Sequence, residues 1–143
     1  MSLETWKEEF YPKPAEETTK RSALAHSLRK WRGLTKENLE KHGCVFEYGE
    51  VRSEGDYREW YLSISASSCA LCHHHYDRER ELYHTPPCAT CPLAKALGTA
   101  DGRDEGCSSP WRAWALNGDP KPMIAALEKA IGEKAIEEKR GKP

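Results

Sequence analysis

The sequence predicts an α+β fold, with a small β-hairpin and a cysteine knuckle packed with four to five helices in a single domain. Three observations carry this expectation. Apolar residues recur at a helical period, switch to strict alternation across residues 44–64, and then return to a helical period. The stretch SSCALCHHHYDRERELYHTPPCATCPL, Ser67 to Leu93, holds four of the six cysteines and four of the six histidines. Of 143 residues, 38% are hydrophobic and 31% charged, so the core is modest and a chain of this polarity leans on an added staple.

Taken in order, residues 1–13 read as an acidic N-terminal arm, and the domain is expected over 14–134. Pro14 suits a first helical position, with Glu16 and Glu17 in the first turn where the helix dipole favours anions. Leu24, Leu28 and Trp31 continue one apolar stripe, and Gly33 ends the helix. Thr35 is placed to cap a short second helix, KENLEKHG, closed by Gly43. Cys44, Phe46 and Tyr48 then alternate, as do Trp60, Leu62 and Ile64. The intervening RSEGD has turn composition, so one β-hairpin is the economical reading. It delivers the chain into Cys69. Beyond the cysteines, Cys91-Pro92-Leu93 opens a short helix that stops at Gly98, and GTADGRDEG reads as a loop. Ser109 and Pro110 look like a cap and a first-turn proline for a helix carrying Trp111 and Trp114. Asp119 and Pro120 restart the chain into an amphipathic helix marked by Met123, Ile124, Leu127, Ala130 and Ile131. Residues 135–143 read as a fraying tail. Packing in the core is the expected fate of Trp31, Trp60 and Trp114.

The cysteine spacing carries the chemistry. Cys69 and Cys72 form one C-x2-C pair and Cys88 and Cys91 a second, with 15 residues between them, inside the usual range of about 15–20 for a zinc site built from two such pairs. Two residues between thiolates let a tight turn aim both sulfurs at one ion, and the loop brings the second pair round to complete a tetrahedron at about 2.3 Å. No secretory signal pattern opens the sequence, so a cytoplasmic setting with reduced thiols is expected, which weighs against two disulfides. A redox dithiol would want a βαβ setting that is missing, and the compact run of many iron–sulfur sites is absent. Cys107 is a fifth candidate ligand. Cys44 reads as a buried core thiol. His73, His74 and His75 point in different directions, so one at most could easily reach the same ion.

The order C-x2-C, then C-x2-C-P-L, then C-x2-S-P-W-x2-W resembles a set of small, poorly characterised phage and prokaryotic proteins. The match falls on Cys69, Cys72, Cys88, Cys91, Pro92, Leu93, Cys107, Pro110 and Trp114, about a third of the chain, and departs from the pattern at Trp111, where a tyrosine is expected. The upstream SLRKWRGLTKENLEKHG is similar to phage accessory proteins. The resemblance implies zinc binding and a phage or prophage setting, hence a host cytoplasm. It also implies that Cys107 serves as a ligand in place of one pair member.

Function is narrowed by exclusion. A net charge of −1 and a pI near 6.6 give no bulk attraction to nucleic acid or acidic lipid, and no apolar run nears the roughly 20 residues that span a bilayer. No H-E-x2-H, no H-x-E ahead of P-C-x2-C, and no H-N-H-like order is present. The expected function is therefore a non-catalytic binding module held by zinc, with a protein partner such as a host defence protein that it modulates or inhibits. The alternative is a zinc-knuckle nucleic-acid binder or metal-dependent nuclease. Arg21, Arg29 and Arg32 fall on one flank of the expected first helix and are the candidate partner-binding residues.

Overall fold

The computed structural model describes residues 2–47, 49–55, 61–65, 68–76, 88, 90–99 and 108–140. The first element corrects the expected arm. Leu3–Phe10 form helix α1, which buries Leu3, Trp6 and Phe10; these residues lie at i, i+3 and i+7, one apolar face within an otherwise charged segment. Ser2 and Thr5 cap the helix reciprocally, through Thr5 N–H to Ser2 Oγ at 3.3 Å and Ser2 N–H to Thr5 Oγ1 at 2.9 Å. Such a box satisfies donors the helix cannot satisfy itself.

Pro14 leads into a 3-10 turn, Ala15–Glu17, rather than a long helix. Helix α2 begins at Ala23 and runs to Arg32. It buries Leu24, Leu28 and Trp31 as the stripe required. Gly33 follows, and its role differs from that of a left-handed helix stop. Its φ is −67°, which any residue adopts, but a Cβ there would lie 2.5 Å from Phe10 Cγ. Its carbonyl also accepts the Trp6 indole N–H at 2.8 Å. Gly33 is the place where α1 and the end of α2 meet without a side chain between them.

Thr35 caps helix α3, Lys36–Lys41, by accepting Asn38 N–H at 3.4 Å, and Gly43 turns the chain at φ 62°. Three strands follow: β1, Cys44–Glu47; β2, Glu50–Ser53; and β3, Tyr61–Ser63. They form an antiparallel meander in the order β1-β2-β3, with Phe46 opposite Val51 and Val51 opposite Leu62. The expected single hairpin is thus two. The first turns within CVFEYGEV, where only residues 48 and 49 separate paired Glu47 and Glu50 and Gly49 sits at φ 75°, a conformation glycine adopts without steric cost. Residues 54–55 of the expected turn begin the second connection, with Gly55 at φ 84°. Trp60 lies outside the described residues.

Helix α4 is Ala70–His75 and α5 is Pro92–Leu97, the latter stopped by Gly98 at φ 73°. Helix α6, Ser108–Asn117, carries Trp111 and Trp114. Helix α7, Lys121–Arg140, starts where Asp119 Oδ1 accepts Lys121 N–H at 3.0 Å. It extends through most of the segment expected to fray. The core is shared: Trp114 packs edge-on to Trp31 at 5.1 Å and against Phe46 at 3.9 Å. Met123, Leu127 and Ala130 of α7 close over it, and α7 lies against α2, α5 and α6. The result is one small α+β domain. No described helix is long and apolar enough to cross a membrane.

Candidate functional site

Both cysteine pairs sit where a loop turns into a short helix. Cys69 precedes α4 and Cys72 lies within it, while Cys88 and Cys91 bracket the turn that enters α5, closed by Cys91 N–H to Cys88 C=O at 3.0 Å. The two pairs share a local feature: the backbone N–H groups of Leu71 and Cys72 favour an ionised Cys69 sulfur, and those of Leu93 and Ala94 an ionised Cys91 sulfur. Backbone donors aimed at sulfur stabilise a thiolate over a thiol.

Charge separates the pairs. Cys69 is held well below the usual thiol range, first by the hydrogen bond from Cys72 and then by the positive charge of Lys30, against the cost of burial. Lys30 is the one lysine or arginine buried among the described residues, at 1% exposure. Its ammonium donates to Ser68 C=O at 3.0 Å and to Ser68 Oγ at 3.4 Å, and Ser27 Oγ lies 4.0 Å from Cys69 Sγ. A buried ammonium is costly unless acceptors surround it, and both Ser68 oxygens meet that need here. Burial pushes the Cys91 thiol the other way, up to about 11, with Cys69 and Cys88 adding to the rise. A small cavity of about 50 Å³ adjoins the first pair, between Ser27, Lys30, Cys69, Cys72 and Trp111.

The histidine triplet diverges as adjacent side chains must. His74 Nε2 lies 2.7 Å from Thr18 C=O and 3.1 Å from Thr18 Oγ1, pinning α4 to the 3-10 turn. His75 Nδ1 meets Thr90 Oγ1 at 3.1 Å. That contact joins the two cysteine segments, since Thr90 stands between Cys88 and Cys91. His73 is exposed, its ring edge-on to His74.

Among the described residues, none of the cysteines forms a disulfide, and no group of three or more His, Cys, Asp or Glu side chains is gathered to hold an ion. Cys107 lies outside the described residues. The donor chemistry fits zinc in kind: cysteine thiols, N–H groups aimed at sulfur, and a buried cation beside Cys69. Cys44 is a core thiol as read, buried, with its ionisation pushed up to about 11 by that burial.

The three arginines do not share one flank. Arg21 precedes α2 altogether. Arg29 Nε donates to Glu9 C=O, and its Nη2 to Glu8 C=O at 3.5 Å, closing the end of α1. Arg32 pairs with Glu128 of α7 at 3.3 Å. Sequence reasoning missed Lys30, because a lysine in a basic stretch reads as solvated. It also missed Lys20, Lys95 and Lys134, which come together with Arg21 around one groove.

No protein-family model matches this chain, and neither curated proteins nor solved structures yield a match.

Proposed function

We propose that the chain is a zinc-stabilised binding module of phage accessory type, acting on a protein partner in the host cytoplasm, with the metal in a purely structural role. The partner class that fits the resemblance is a host protein, defence proteins included. The observation that carries the metal reading is the environment of Cys69, where N–H donors, the Cys72 thiol and buried Lys30 all favour negative sulfur. Four thiolates on one divalent ion leave an excess of negative charge, and a buried ammonium with backbone donors offsets it. Cys69, Cys72, Cys88 and Cys91 would hold the ion, with Cys107 replacing one member if the motif resemblance holds.

A four-thiolate sphere has no position for a reactive water, which favours binding over catalysis. His74 and His75 are engaged with Thr18 and Thr90, roles that brace the fold. Exposed Tyr61 and Tyr76 are of a residue type enriched among interface anchors. Of the three arginines, Arg21 is the one carried forward as partner-facing.

The test pairs metal content with turnover. Purified protein is expected to carry about one zinc per chain, without colour, because zinc has a filled d shell. His73→Ala and His75→Ala should leave metal content unchanged, and neither wild type nor variant should degrade DNA or RNA. Metal-dependent cleavage that disappears in either histidine variant while zinc is retained would overturn the binding module in favour of a nuclease. A brown preparation would replace zinc with an iron–sulfur site.

A further inference from the structure

Apart from the cysteines, the feature of the molecule with the most chemistry is an open groove of about 410 Å³ between α5, α7 and the turn before α2. Four separated stretches of sequence line it: Lys20 and Arg21, then His75, then Thr90 and Lys95, then Lys134. The chain as a whole carries a net charge of −1, so four cations around one concavity are a local concentration. Lys20, Arg21 and Lys95 have no ion-pair partner among the described residues, and Lys134 Nζ reaches only the Arg21 carbonyl, at 3.5 Å. Four positive charges against the two carboxylates Glu133 and Glu138 leave the lining of the groove with a net positive charge. The imidazole of His75 registers the result, since burial first and then Lys20, His74, Lys134 and Lys95 disfavour its protonation. Thr90 Oγ1 adds a neutral hydroxyl.

Two carboxylates, Glu133 and Glu138, stand on the α7 side, and Glu133 is 3.9 Å from Lys129. They restrict the ligand. A long polyanion laid through the groove would meet them, whereas a compact ligand with one anionic end would place that end among the cations. Its hydroxyl or amino groups could then face the carboxylates. The volume is of the size that encloses a small organic ligand.

We propose that this groove binds a small phosphate ester of nucleotide size, its phosphate held by Lys20, Arg21, Lys95 and Lys134. Cations converging on phosphate oxygens form the stronger, charge-assisted class of hydrogen bond. The site is separate from the metal-binding role proposed for the cysteines, although His75 and Thr90 belong to the same two segments.

The experiment is a titration followed by amide and side-chain NMR shifts, using inorganic phosphate, adenosine monophosphate and a single-stranded oligonucleotide as separate probes. The expected result is saturable shifts at Arg21, His75, Thr90 and Lys95 with the mononucleotide, tighter than with inorganic phosphate. Lys95→Ala combined with Lys134→Ala should weaken it at least about tenfold, the size expected for losing charged hydrogen bonds. Arg32→Ala, away from the groove, should leave it unchanged, and circular dichroism checks that each variant is folded. Tighter binding of the oligonucleotide, with a steep salt dependence, would overturn the small ester and assign the groove to nucleic-acid backbone. Absence of saturable shifts with every probe, or binding indifferent to the lysine pair, would overturn the site itself.

Discussion

The described residues of 2–53 and those of 68–99 are held by different means. In the first region the buried side chains are large: Trp6, Phe10, Leu24, Leu28, Trp31, Leu34 and Val51. Its helices are capped by Ser2 and Thr35, and its turns are set by glycine. In the second region the described helices, α4 and α5, are six residues each, below the length at which a helix sustains itself. Their buried residues are Ala70, Leu71, Leu93, Ala94 and Ala96, three of them alanines that remove little apolar area from water. Among the described residues this region adds two pairs of thiols, a His75–Thr90 contact, and the packing of α4 on α2 and of α5 on α7, with Lys30 of the first region donating to Ser68. Large apolar side chains fill the first region, whereas the described part of the second buries small ones and depends on its packing against α2 and α7.

The largest expected effect therefore separates the regions. Cys91→Ser, or stripping metal with a chelator, should abolish hydrogen-exchange protection across residues 68–99 while amides around Trp6 and Val51 keep much of theirs, because metal-binding energy in such segments is folding energy. If both regions lose protection together, the division is wrong and the domain is one cooperative unit. Next in size is Gly33→Ala, which drives a methyl into the Phe10 ring and strikes the first region alone. A loss of about 1–3 kcal/mol in denaturant unfolding is expected, with zinc content unchanged. An unaltered midpoint would mean that α1 can shift away cheaply.

A smaller effect is acid sensitivity. His26 sits at the boundary of the regions, with Nε2 2.7 Å from Lys13 C=O and Nδ1 buried without a hydrogen-bond partner among the described residues. Burial, then the charges of Lys30 and Arg29, lowers its pKa, against the opposing pull of the Lys13 carbonyl and Cys69. The unfolded chain thus takes up the proton first as pH drops below the ordinary histidine value of about 6.5, so stability is complete above that value and declines as pH falls through the lowered folded one. His26→Gln should flatten the decline between about pH 6.5 and 5; an identical slope would place the acid sensitivity elsewhere. The smallest effect belongs to Arg32→Ala. The pair with Glu128 is more than half exposed on both sides, and such pairs contribute below about 1 kcal/mol. A larger loss would show that α2 and α7 depend on charge as much as on Trp31 and Leu127.

Local signals were legible. Thr35 as a cap, Gly98 as a stop, and Asp119-Pro120 as a restart each depend on a few neighbouring residues, and each stands where the sequence put it. The apolar stripes of α2 and α7 were legible for the same reason. Helix α1 was misread because charge dominates LETWKEEF, although Leu3, Trp6 and Phe10 were spaced to reveal it. The first hairpin was hidden because its turn leaves the alternation of Cys44 and Phe46 almost undisturbed. The cysteine pairs were visible as spacing, but the inward ammonium of Lys30 was not. A lysine is buried only when tertiary structure supplies acceptors, here Ser68 from a segment far along the chain. The groove has the same character, since Arg21, Lys95 and Lys134 become neighbours only after α7 lies down against α5.

The placement of α7 has a consequence for synthesis. This helix covers α2, α5 and α6, yet it is translated after all of them. While the ribosome is still making it, the stripe of Leu24, Leu28 and Trp31 has no lid, and the cysteines have already emerged. Domains fold as units as their chain becomes complete, at about 5–20 residues per second. The thiols thus meet the solvent, with its metal ions and oxidants, before the core that will shelter them exists. The order of the chain presents Cys69, Cys72, Cys88 and Cys91 to solvent before α7 is made, and leaves hydrophobic closure over α2, α5 and α6 to a later step.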